Sequence, residues 1–311
     1  MPRAQLSLSP GTQKRQSMIH SANVPSTDHV ADSPEIIALI PSAGQAKRIS
    51  PLPCSKEIFP IGLAYHESAD GIRPKVVCQY LLEKMRKAGA KKGFIILRPG
   101  KWDIPGYCGD GTFVDMNLAY LMMGVPFGPP YSINQAFAFV KHARIMFGFP
   151  DILFEPDDVF IQLLDKLDST QADVVMALFP AHNSRQMDMV HVDSNGKVIA
   201  IHLKPLQTDL HWAWICAVWS ATFTKFLQHH LEGISILREA SSPTSGAQCF
   251  MESSPCELSI GHVLQAALQR GLDIQTVAFP KGLYLDIGTP EGLDNALRAV
   301  LHKNPTSHHK Q

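Results

Sequence analysis

The sequence has no excess of charge of either sign. Its 311 residues include 28 Lys and Arg and 28 Asp and Glu, so the formal net charge is +0. A neutral chain produces no long-range field that would draw it to nucleic acid or to an anionic membrane. We therefore expect neither nucleic acid nor a membrane as a partner, and any anion site must be built by a few local side chains.

Long apolar runs are missing as well. No stretch approaches the roughly 20 consecutive apolar residues that a membrane-spanning helix requires. Residues 1–33 are rich in Ser, Pro, Gln and basic side chains and contain no apolar segment typical of a secretory signal. The composition, 45% hydrophobic and 18% charged, is that of a globular protein, and we expect it to be cytoplasmic.

Cysteine pairs of the Cys-x-x-Cys type are absent, which argues against the common zinc and redox motifs. The six cysteines are Cys54, Cys78, Cys108, Cys216, Cys249 and Cys256. Several lie in apolar segments, so the pattern indicates reduced and mostly buried thiols. Cys249 and Cys256 are close together in sequence, and a disulfide or a metal site there is the open alternative.

The Gly-x-Gly-x-x-Gly fingerprint of dinucleotide-binding dehydrogenases is absent after the first predicted strand, and no internal repeat is found. That strand, Ile36–Ile40, leads instead into a run of small residues around Gly44, and then to two cations, Arg48 and Lys56. In α/β proteins, a buried strand that leads into such a turn presents backbone N–H groups and cations to phosphate. The segment therefore predicts a phosphate-binding loop.

The order of the predicted elements indicates an α/β fold with a mostly parallel central sheet flanked by helices. Extended structure is predicted at 36–40, 56–61, 92–97, 143–149, 173–179, 212–219 and 273–278, with an Asn-Gly hairpin over 189–202. Helices are predicted from Pro74 to Gly89 and at 113–123, 133–140, 159–167, 222–229, 258–269 and 290–301. We expect one domain over residues 34–301, a disordered tail at 1–33 and a polar tail at 302–311.

Two aspartates, Asp151 and Asp286, stand at expected strand ends that are far apart in the sequence. Carboxylates that meet at the carboxyl edge of a sheet can hold Mg²⁺. Arg48, Lys56 and Lys204 could bind phosphate and stabilise charge on phosphorus. Together these groups predict metal-assisted phosphoryl or nucleotidyl transfer. Each also has an ordinary alternative: a capping aspartate, a solvated surface cation, or, for Lys204, the exit of a hairpin.

Several segments match, in order, the motifs of one enzyme family between about Glu35 and Val300. Ala43–Pro51 corresponds to a Gly-Gly-x-Gly-Thr-Arg-Leu-x-Pro loop, and 55–60 corresponds to Ser-Lys-Gln-Leu-Leu-Pro. Leu-Asp-Ile-Gly-Thr-Pro at 285–290 is the most specific match. Shorter matches lie at 73–76, 109–111, 133–136, 149–151 and 203–205. On these motifs the chain resembles the sugar-1-phosphate nucleotidyltransferases, and among them the glucose-1-phosphate thymidylyltransferases.

The resemblance implies a Rossmann-like nucleotidyltransferase fold and a Mg²⁺-dependent enzyme. Its expected partners are an NTP, with dTTP or UTP favoured, and a sugar 1-phosphate, which give an NDP-sugar and pyrophosphate. The implied catalytic residues are Arg48 and Lys56, and the implied metal ligands are Asp151 and Asp286. The implied nucleotide-binding residues are Gly44, Gln45, Gly109, Asp110, Gly111 and Gln135, and the implied sugar-phosphate residues are Lys204 and Asp188. The oligomeric state, including a homo-oligomer, is left open.

The chain departs from the family pattern at positions that shape its pockets. Ala43 and Ala46 replace loop glycines, and a Cβ at 46 should crowd the phosphate loop or restrict its φ. Leu203 replaces a Glu that contacts the sugar, and Met187-Asp188 stands where the family has Tyr-Gly. These departures favour an alternative function, a catalytically weakened paralogue that binds a nucleotide or sugar nucleotide as a regulatory or partner subunit.

Overall fold

The computed structural model describes residues 34–66, 70–123, 127–241 and 257–301. The predicted tails at 1–33 and 302–311, Cys249 and Cys256 lie outside these ranges. The strands are β1 (Ile36–Pro41), β2 (Pro60–His66), β3 (Gly71–Val76), β4 (Lys92–Leu97), β5 (Asn117–Met122), β6 (Arg144–Gly148), β7 (Ile152–Glu155), β8 (Val174–Pro180), β9 (Met189–Val192), β10 (Val198–His202), β11 (Trp212–Trp219), β12 (Ile274–Ala278) and β13 (Leu283–Asp286). The helices are α1 (Val77–Lys87), α2 (Asp103–Cys108), α3 (Pro129–Asn134), α4 (Phe137–Val140), α5 (Val159–Thr170), α6 (Ala221–Ser241), α7 (Ile260–Gln269) and α8 (Pro290–Leu301).

Nine of these strands form the central sheet, in the order β5-β4-β1-β6-β11-β8-β12, with the β9–β10 hairpin attached to β11. β1 pairs in parallel with both β4 and β6, and β4 pairs in parallel with β5. β11 is antiparallel to both of its long neighbours, β6 and β8. The expected α/β fold with a mostly parallel sheet is therefore confirmed, and the carboxyl ends of β1, β4 and β6 lie at one edge.

Helices cover both faces of the sheet, and β1, which is apolar along its whole length, packs against them on both sides. Ala38 and Ile40 pack in one buried cluster with side chains of α1 and α5. Ile37 and Leu39 point the other way and pack in a second cluster with side chains of α3, α6 and α7. A strand with both faces buried reads as a continuous apolar run, which is why Ile36–Ile40 could be identified from the sequence.

Two short antiparallel pairs lie outside the central sheet. β2 pairs with β3, and β7 pairs with β13. In the second pair Asp286 is opposite Ile152, and the Ile287 N–H donates to the Asp151 carbonyl at 3.0 Å. The sequence did not predict β7, and this strand is what brings the segments of the two aspartates together.

The predicted helix over Phe113–Met123 is wrong. After a short 3₁₀ turn at Thr112–Val114, this segment forms strand β5 along the edge of the sheet. Its apolar residues are dense enough to fit a helical period, and so the period alone could not decide. The parallel pairing with β4 makes this segment a strand.

Other boundaries also differ from the prediction, and α6 runs to Ser241 where the predicted helix ended at residue 229. Pro74 lies in β3, and the helix begins at Val77, although it ends as expected before Gly89, whose φ is +102°. Lys56–Ile58 is a short 3₁₀ helix rather than an extended segment. The predicted helix over 133–140 is two short helices, α3 and α4. Among the described residues, no helix has the length and apolarity to cross a bilayer.

Candidate active site at the carboxyl edge of the sheet

The loop after β1 keeps a tight turn despite its substitutions. The Ser42 N–H donates to the Ile96 carbonyl at 2.8 Å, and the N–H groups of Ile49 and Ser50 both donate to the Ala46 carbonyl at 3.1 Å. Ala46 has a φ of +52°, a left-handed conformation that costs a residue with a Cβ roughly 1–2 kcal/mol. The chain therefore retains a glycine-like backbone where the family pattern has glycine.

Arg48 and Lys56 approach the two aspartates from this loop and from the 3₁₀ helix that comes after it. The Arg48 side chain is 59% exposed, and its Nη2 lies 3.6 Å from Asp286 Oδ2. The Lys56 ammonium forms an ion pair and a hydrogen bond with Asp151, and both side chains are 13% exposed. The structure thus brings together four charged residues, two of which are far from the others in the sequence, that were predicted to act in one site.

Gly288 is the point at which these groups converge. A Cβ added at this position would lie 2.8 Å from Asp286 Oδ1, 2.9 Å from Arg48 Nη2 and 3.4 Å from Asp151 Oδ2. The Gly288 N–H also donates to Asp286 Oδ1 at 2.7 Å. Any side chain here would displace the acids or the arginine. The sequence placed Gly288 inside a matching motif but did not identify its role.

The electrostatics of the cluster reflect two acids that share a partly buried space. Burial raises the pKa of Asp286, and the negative charge of Asp151 raises it further. For Lys56, burial is the largest single influence and lowers the pKa, but the charge and hydrogen bond of Asp151 together with the charges of Glu57 and Asp286 outweigh it, so the pKa is raised and the ammonium is held in its charged form. Lys56 and Arg48 therefore offset only part of the negative charge of the two acids.

Asp151 and Asp286 fit a divalent cation. Both present carboxylate oxygens to the same small space beside Gly288, and a cation there would relieve the repulsion that raises the pKa of Asp286. No cluster of three or more His, Cys, Asp or Glu ligands occurs in the part of the chain that the structure describes. Two carboxylates with the remaining positions left to water or phosphate is the arrangement that Mg²⁺ prefers.

The segment that carries Lys56 is anchored from the loop after β4. Asp103 accepts hydrogen bonds from the Ser55 N–H at 2.6 Å and from the Ser55 hydroxyl at 2.8 Å. Lys101 forms a buried ion pair with Glu57, Nζ to Oε1, at 2.6 Å. These partners are separated by more than forty residues in sequence, and no local pattern in the sequence indicated them.

Three of the predicted nucleotide-binding residues are exposed on the loop after β1 and at the end of α3. Gly44 and Gln45 are exposed on the loop after β1. Gln135 is exposed at the end of α3, and its neighbours Ile133 and Ala136 pack in the same apolar cluster as Ala43 of the loop. Gln135 and the base of the loop therefore adjoin the same apolar cluster on one face of the sheet.

Gly109, Asp110 and Gly111 lie elsewhere. The Leu118 N–H donates to the Asp110 carbonyl at 2.8 Å, and Gly111 is in contact with the residues that enter β5. The start of β5 pairs with the amino end of β4, which is the edge opposite the Arg48 loop. The structure does not bring these three residues to the acidic cluster, because the segment that the sequence predicted as a helix is a strand that starts at that far edge.

The predicted acceptor residues Lys204 and Asp188 are neighbours. The Asp188 carboxyl group is hydrogen bonded by the Trp214 side chain and the Lys204 backbone, while burial raises its pKa. Its Oδ1 is buried without a hydrogen-bond partner in the described residues. Trp214 also packs on Phe149, with ring centroids 6.0 Å apart, so this pair adjoins the segment that leads to Asp151.

Comparison with known proteins identifies the fold. No family model matches the chain. A low-salt glycan biosynthesis nucleotidyltransferase of Haloferax volcanii is 23% identical over 228 residues, which cover 73% of this chain but only 58% of that protein. A Bacillus anthracis protein assigned as a glucose-1-phosphate thymidylyltransferase superimposes with a TM-score of 0.68 at 15% identity, covering 86% of this chain and 96% of that one. A UDP-glucose pyrophosphorylase bound to UDP-glucose gives 0.66 at 18% identity, covering 87% and 100%.

These similarities confirm the Rossmann-like nucleotidyltransferase fold and the resemblance to sugar-1-phosphate nucleotidyltransferases that the motifs predicted. The structural matches extend over nearly all of the solved chains. The sequence match spans just over half of the curated relative. What each of these proteins binds or makes is a property of that protein, and for this chain the function must be argued from its own site.

Proposed function

We propose that this chain is a sugar-phosphate nucleotidyltransferase that joins an NTP to a sugar 1-phosphate and releases pyrophosphate. The observation that carries the proposal is the convergence of Arg48, Asp151 and Asp286 on the space beside Gly288, with Lys56 paired to Asp151. Two acids with two cations at the carboxyl edge of a parallel sheet form a site for phosphate and a divalent ion.

In this mechanism a phosphate oxygen of the acceptor attacks the α-phosphorus of the NTP, and pyrophosphate leaves with the electron pair of the broken P–O bond. Arg48 stabilises the charge that grows on the phosphorus oxygens, and Lys56 holds phosphate in place. The phosphate nucleophile is already ionised at neutral pH, so no general base is required, and positioning accounts for much of the rate.

Mg²⁺ would be held by Asp151 and Asp286, where it would supply charge neutralisation for the phosphate groups. Lys204, which comes shortly after the end of β10, would contact the acceptor phosphate. The buried Oδ1 of Asp188, which has no partner in the described residues, would accept a hydrogen bond from an acceptor hydroxyl. Gly44, Gln45 and Gln135 would contact the nucleotide, and the uridine nucleotide of the UDP-glucose pyrophosphorylase supports UTP beside dTTP.

A second function, nucleotide binding without efficient turnover, is favoured by one set of observations. The acids are already paired with cations, Asp151 with Lys56 and Asp286 with Arg48. A metal ion would have to compete with these pairs, and Ala46 adds a Cβ to the loop that would wrap the triphosphate. A regulatory or partner subunit built on this fold would keep affinity for a nucleotide and lose catalysis.

Pyrophosphate release separates the two functions. The purified protein is mixed with each NTP or dTTP, Mg²⁺ and a panel of sugar 1-phosphates, and nucleotide binding is measured in parallel by calorimetry. The enzyme function predicts pyrophosphate that requires both substrates and disappears with EDTA. Nucleotide binding in the micromolar range without pyrophosphate from any pair would support the regulatory function instead.

A further inference from the structure

The segment that carries Lys56 rests on a buried ion pair that the mechanism above does not use. Glu57 is 1% exposed and Lys101 is 4% exposed, and Lys101 Nζ lies 2.6 Å from Glu57 Oε1. Glu57 is the residue after Lys56 in the 3₁₀ helix, whereas Lys101 comes from the loop after β4. A charge pair this deeply buried is expensive unless it is well compensated.

Glu57 depends on Lys101 for that compensation. Burial raises the pKa of Glu57, and the positive charge of Lys101 is the largest influence that opposes this shift. The second oxygen, Oε2, has no hydrogen-bond partner in the described residues. After Lys101, the next cation that acts on Glu57 is Lys56 itself. Removal of Lys101 would thus leave a buried carboxylate on which the proposed catalytic lysine, Lys56, is the strongest remaining positive influence.

Lys56 therefore lies within the electrostatic influence of three carboxylates, those of Asp151, Glu57 and Asp286. Asp151 holds it at present, through an ion pair and a hydrogen bond, and Glu57 also attracts it. A lysine has a flexible four-carbon stem and can turn between such partners. The family motif that 55–60 resembles has Gln in place of Glu57, and a neutral amide would not compete for the ammonium or require a buried cation.

We propose that Lys101 is a positioning residue: by neutralising Glu57, it keeps the Lys56 ammonium directed to Asp151 and to the substrate phosphate. Asp103, two residues further along the chain and the first residue of α2, fixes the backbone of this segment through Ser55. Lys101 neutralises the negative charge of Glu57 in the same segment. The effect on turnover rests on the proposed function, whereas the orientation of Lys56 does not depend on it.

The test compares crystal structures and steady-state kinetics of Lys101→Met with those of the double variant Glu57→Gln/Lys101→Met. In Lys101→Met we expect the Lys56 ammonium to turn from Asp151 to Glu57 and kcat to fall by roughly 100-fold, as for a misplaced catalytic group. In the double variant the competing charge is gone, so Lys56 should return to Asp151 and kcat should recover most of the loss. Should Lys101→Met not fold, Lys101→Gln removes the same charge while it keeps a hydrogen-bond donor.

Lys84→Met is the matched control. Lys84 is likewise a buried lysine paired with an aspartate, Asp157, but it belongs to α1 and has no part in the site. We expect it to lower stability and to leave Lys56 on Asp151 with kcat unchanged. If Lys56 stays on Asp151 in folded Lys101→Met, or if the double variant recovers nothing, the positioning role is refuted. Because the structures are solved without substrate, they decide this point even if the wild-type protein shows no turnover.

Discussion

At the scale of single residues, Gly288 occupies the small space that the charged side chains of the candidate site surround. It lies between Asp286, Arg48 and Asp151, and its N–H orients the Asp286 carboxylate. Its φ is not in the left-handed region, so the need for glycine here comes from the space that the side chains occupy. A substitution at Gly288 would therefore act by crowding the charged side chains of the site, without imposing an unfavourable backbone conformation.

For Gly288→Ala we expect kcat to fall by roughly 100-fold, since the new methyl group must push a charged group aside by about 1 Å. The measurement is steady-state pyrophosphate release. Gly233→Ala is the control, because Gly233 lies in α6 with no atom near its added Cβ, and it should retain wild-type activity. Unchanged kcat in Gly288→Ala would show that the convergence at Gly288 is unimportant for turnover.

Asp286 illustrates a conflict between activity and stability. Its pKa in the folded protein is raised by burial and by Asp151, so its ionised form is disfavoured by folding. A raised carboxyl pKa contributes stability at low pH, and this contribution is lost as the pH rises through the folded value. Asp286→Asn should therefore abolish turnover yet raise the free energy of unfolding at pH 7, by about 1 kcal/mol or 2–4 °C in Tm.

The sign of this effect can be checked with pH. The gain in Tm for Asp286→Asn should shrink as the pH falls toward the ordinary Asp pKa of about 3.9, where the wild-type carboxyl group is neutral too. Asp294→Asn, at an exposed aspartate of α8, should show no gain at any pH. A loss of stability in Asp286→Asn at pH 7 would mean that the pairing with Arg48 outweighs burial.

Ala46 tests whether the altered loop is strained. Ala46→Gly should raise the free energy of unfolding by up to about 1 kcal/mol, because the left-handed strain of roughly 1–2 kcal/mol is partly offset by the greater freedom of glycine in the unfolded chain. Gln171→Gly is a matched control with a φ of +54° at the end of α5. Both variants should gain stability in a denaturant titration, and only Ala46→Gly should also tighten nucleotide binding. A gain in Gln171→Gly alone would show that the Ala46 turn is not strained.

At the scale of elements, the strands that are buried on both faces were predicted well. β1, β4, β6, β8 and β11 are largely apolar runs, and a run of that kind is legible in sequence because it needs no partner to be recognised. β5 and β7 were missed for the opposite reason. β5 is an edge strand whose apolar spacing also fits a helix, and β7 is only four residues long. Each forms a strand by pairing with another strand, β5 with β4 and β7 with β13, and that pairing cannot be seen in the local sequence.

The misassigned segment before β5 yields a prediction about Gly109 and Gly111. Both have positive φ, but only at Gly111 would a Cβ meet protein atoms, with the Met116 carbonyl oxygen at 2.5 Å. Gly111→Ala should therefore lower the free energy of unfolding by about 1–3 kcal/mol more than Gly109→Ala does, as expected for overpacking. Neither change should alter nucleotide affinity, measured by calorimetry on folded protein. A large loss of affinity in either variant would contradict this expectation and support the role in nucleotide binding that the motif implied.

At the scale of the whole molecule, the order of motifs carried more information than any single one. The charged groups of the site, Arg48, Lys56, Asp151 and Asp286, could be predicted because each follows a recognisable strand or motif. Their supports could not, since Glu57 pairs with Lys101 and Ser55 with Asp103 across more than forty residues. Such contacts depend on how the loops after β1 and β4 meet, which only the folded chain defines.

The region proposed to bind the acceptor differs most from the family pattern. Asp188 and Leu203 lie close to Gly261 at the amino end of α7, where the absence of a side chain leaves room for the Asp188 carboxyl group. The proposed contact with Asp188, whose Oδ1 has no hydrogen-bond partner among the described residues, would require an acceptor that can donate a hydrogen bond. This is why the acceptor panel should include sugar 1-phosphates with different hydroxyl and acetamido groups.

The most direct measurement tracks the α-phosphorus of the nucleotide itself. Protein, Mg²⁺ and nucleotide (UTP or dTTP) labelled with radioactive phosphorus at the α position are incubated with the sugar 1-phosphate panel, and label is traced into the NDP-sugar. We predict label in an NDP-sugar with at least one acceptor in the wild-type protein, and a loss of roughly 100-fold or more in Asp286→Asn, as when a major electrostatic group is removed. Label that never leaves the nucleotide, in a protein that binds it, or transfer at the wild-type rate in Asp286→Asn, would contradict the proposed function.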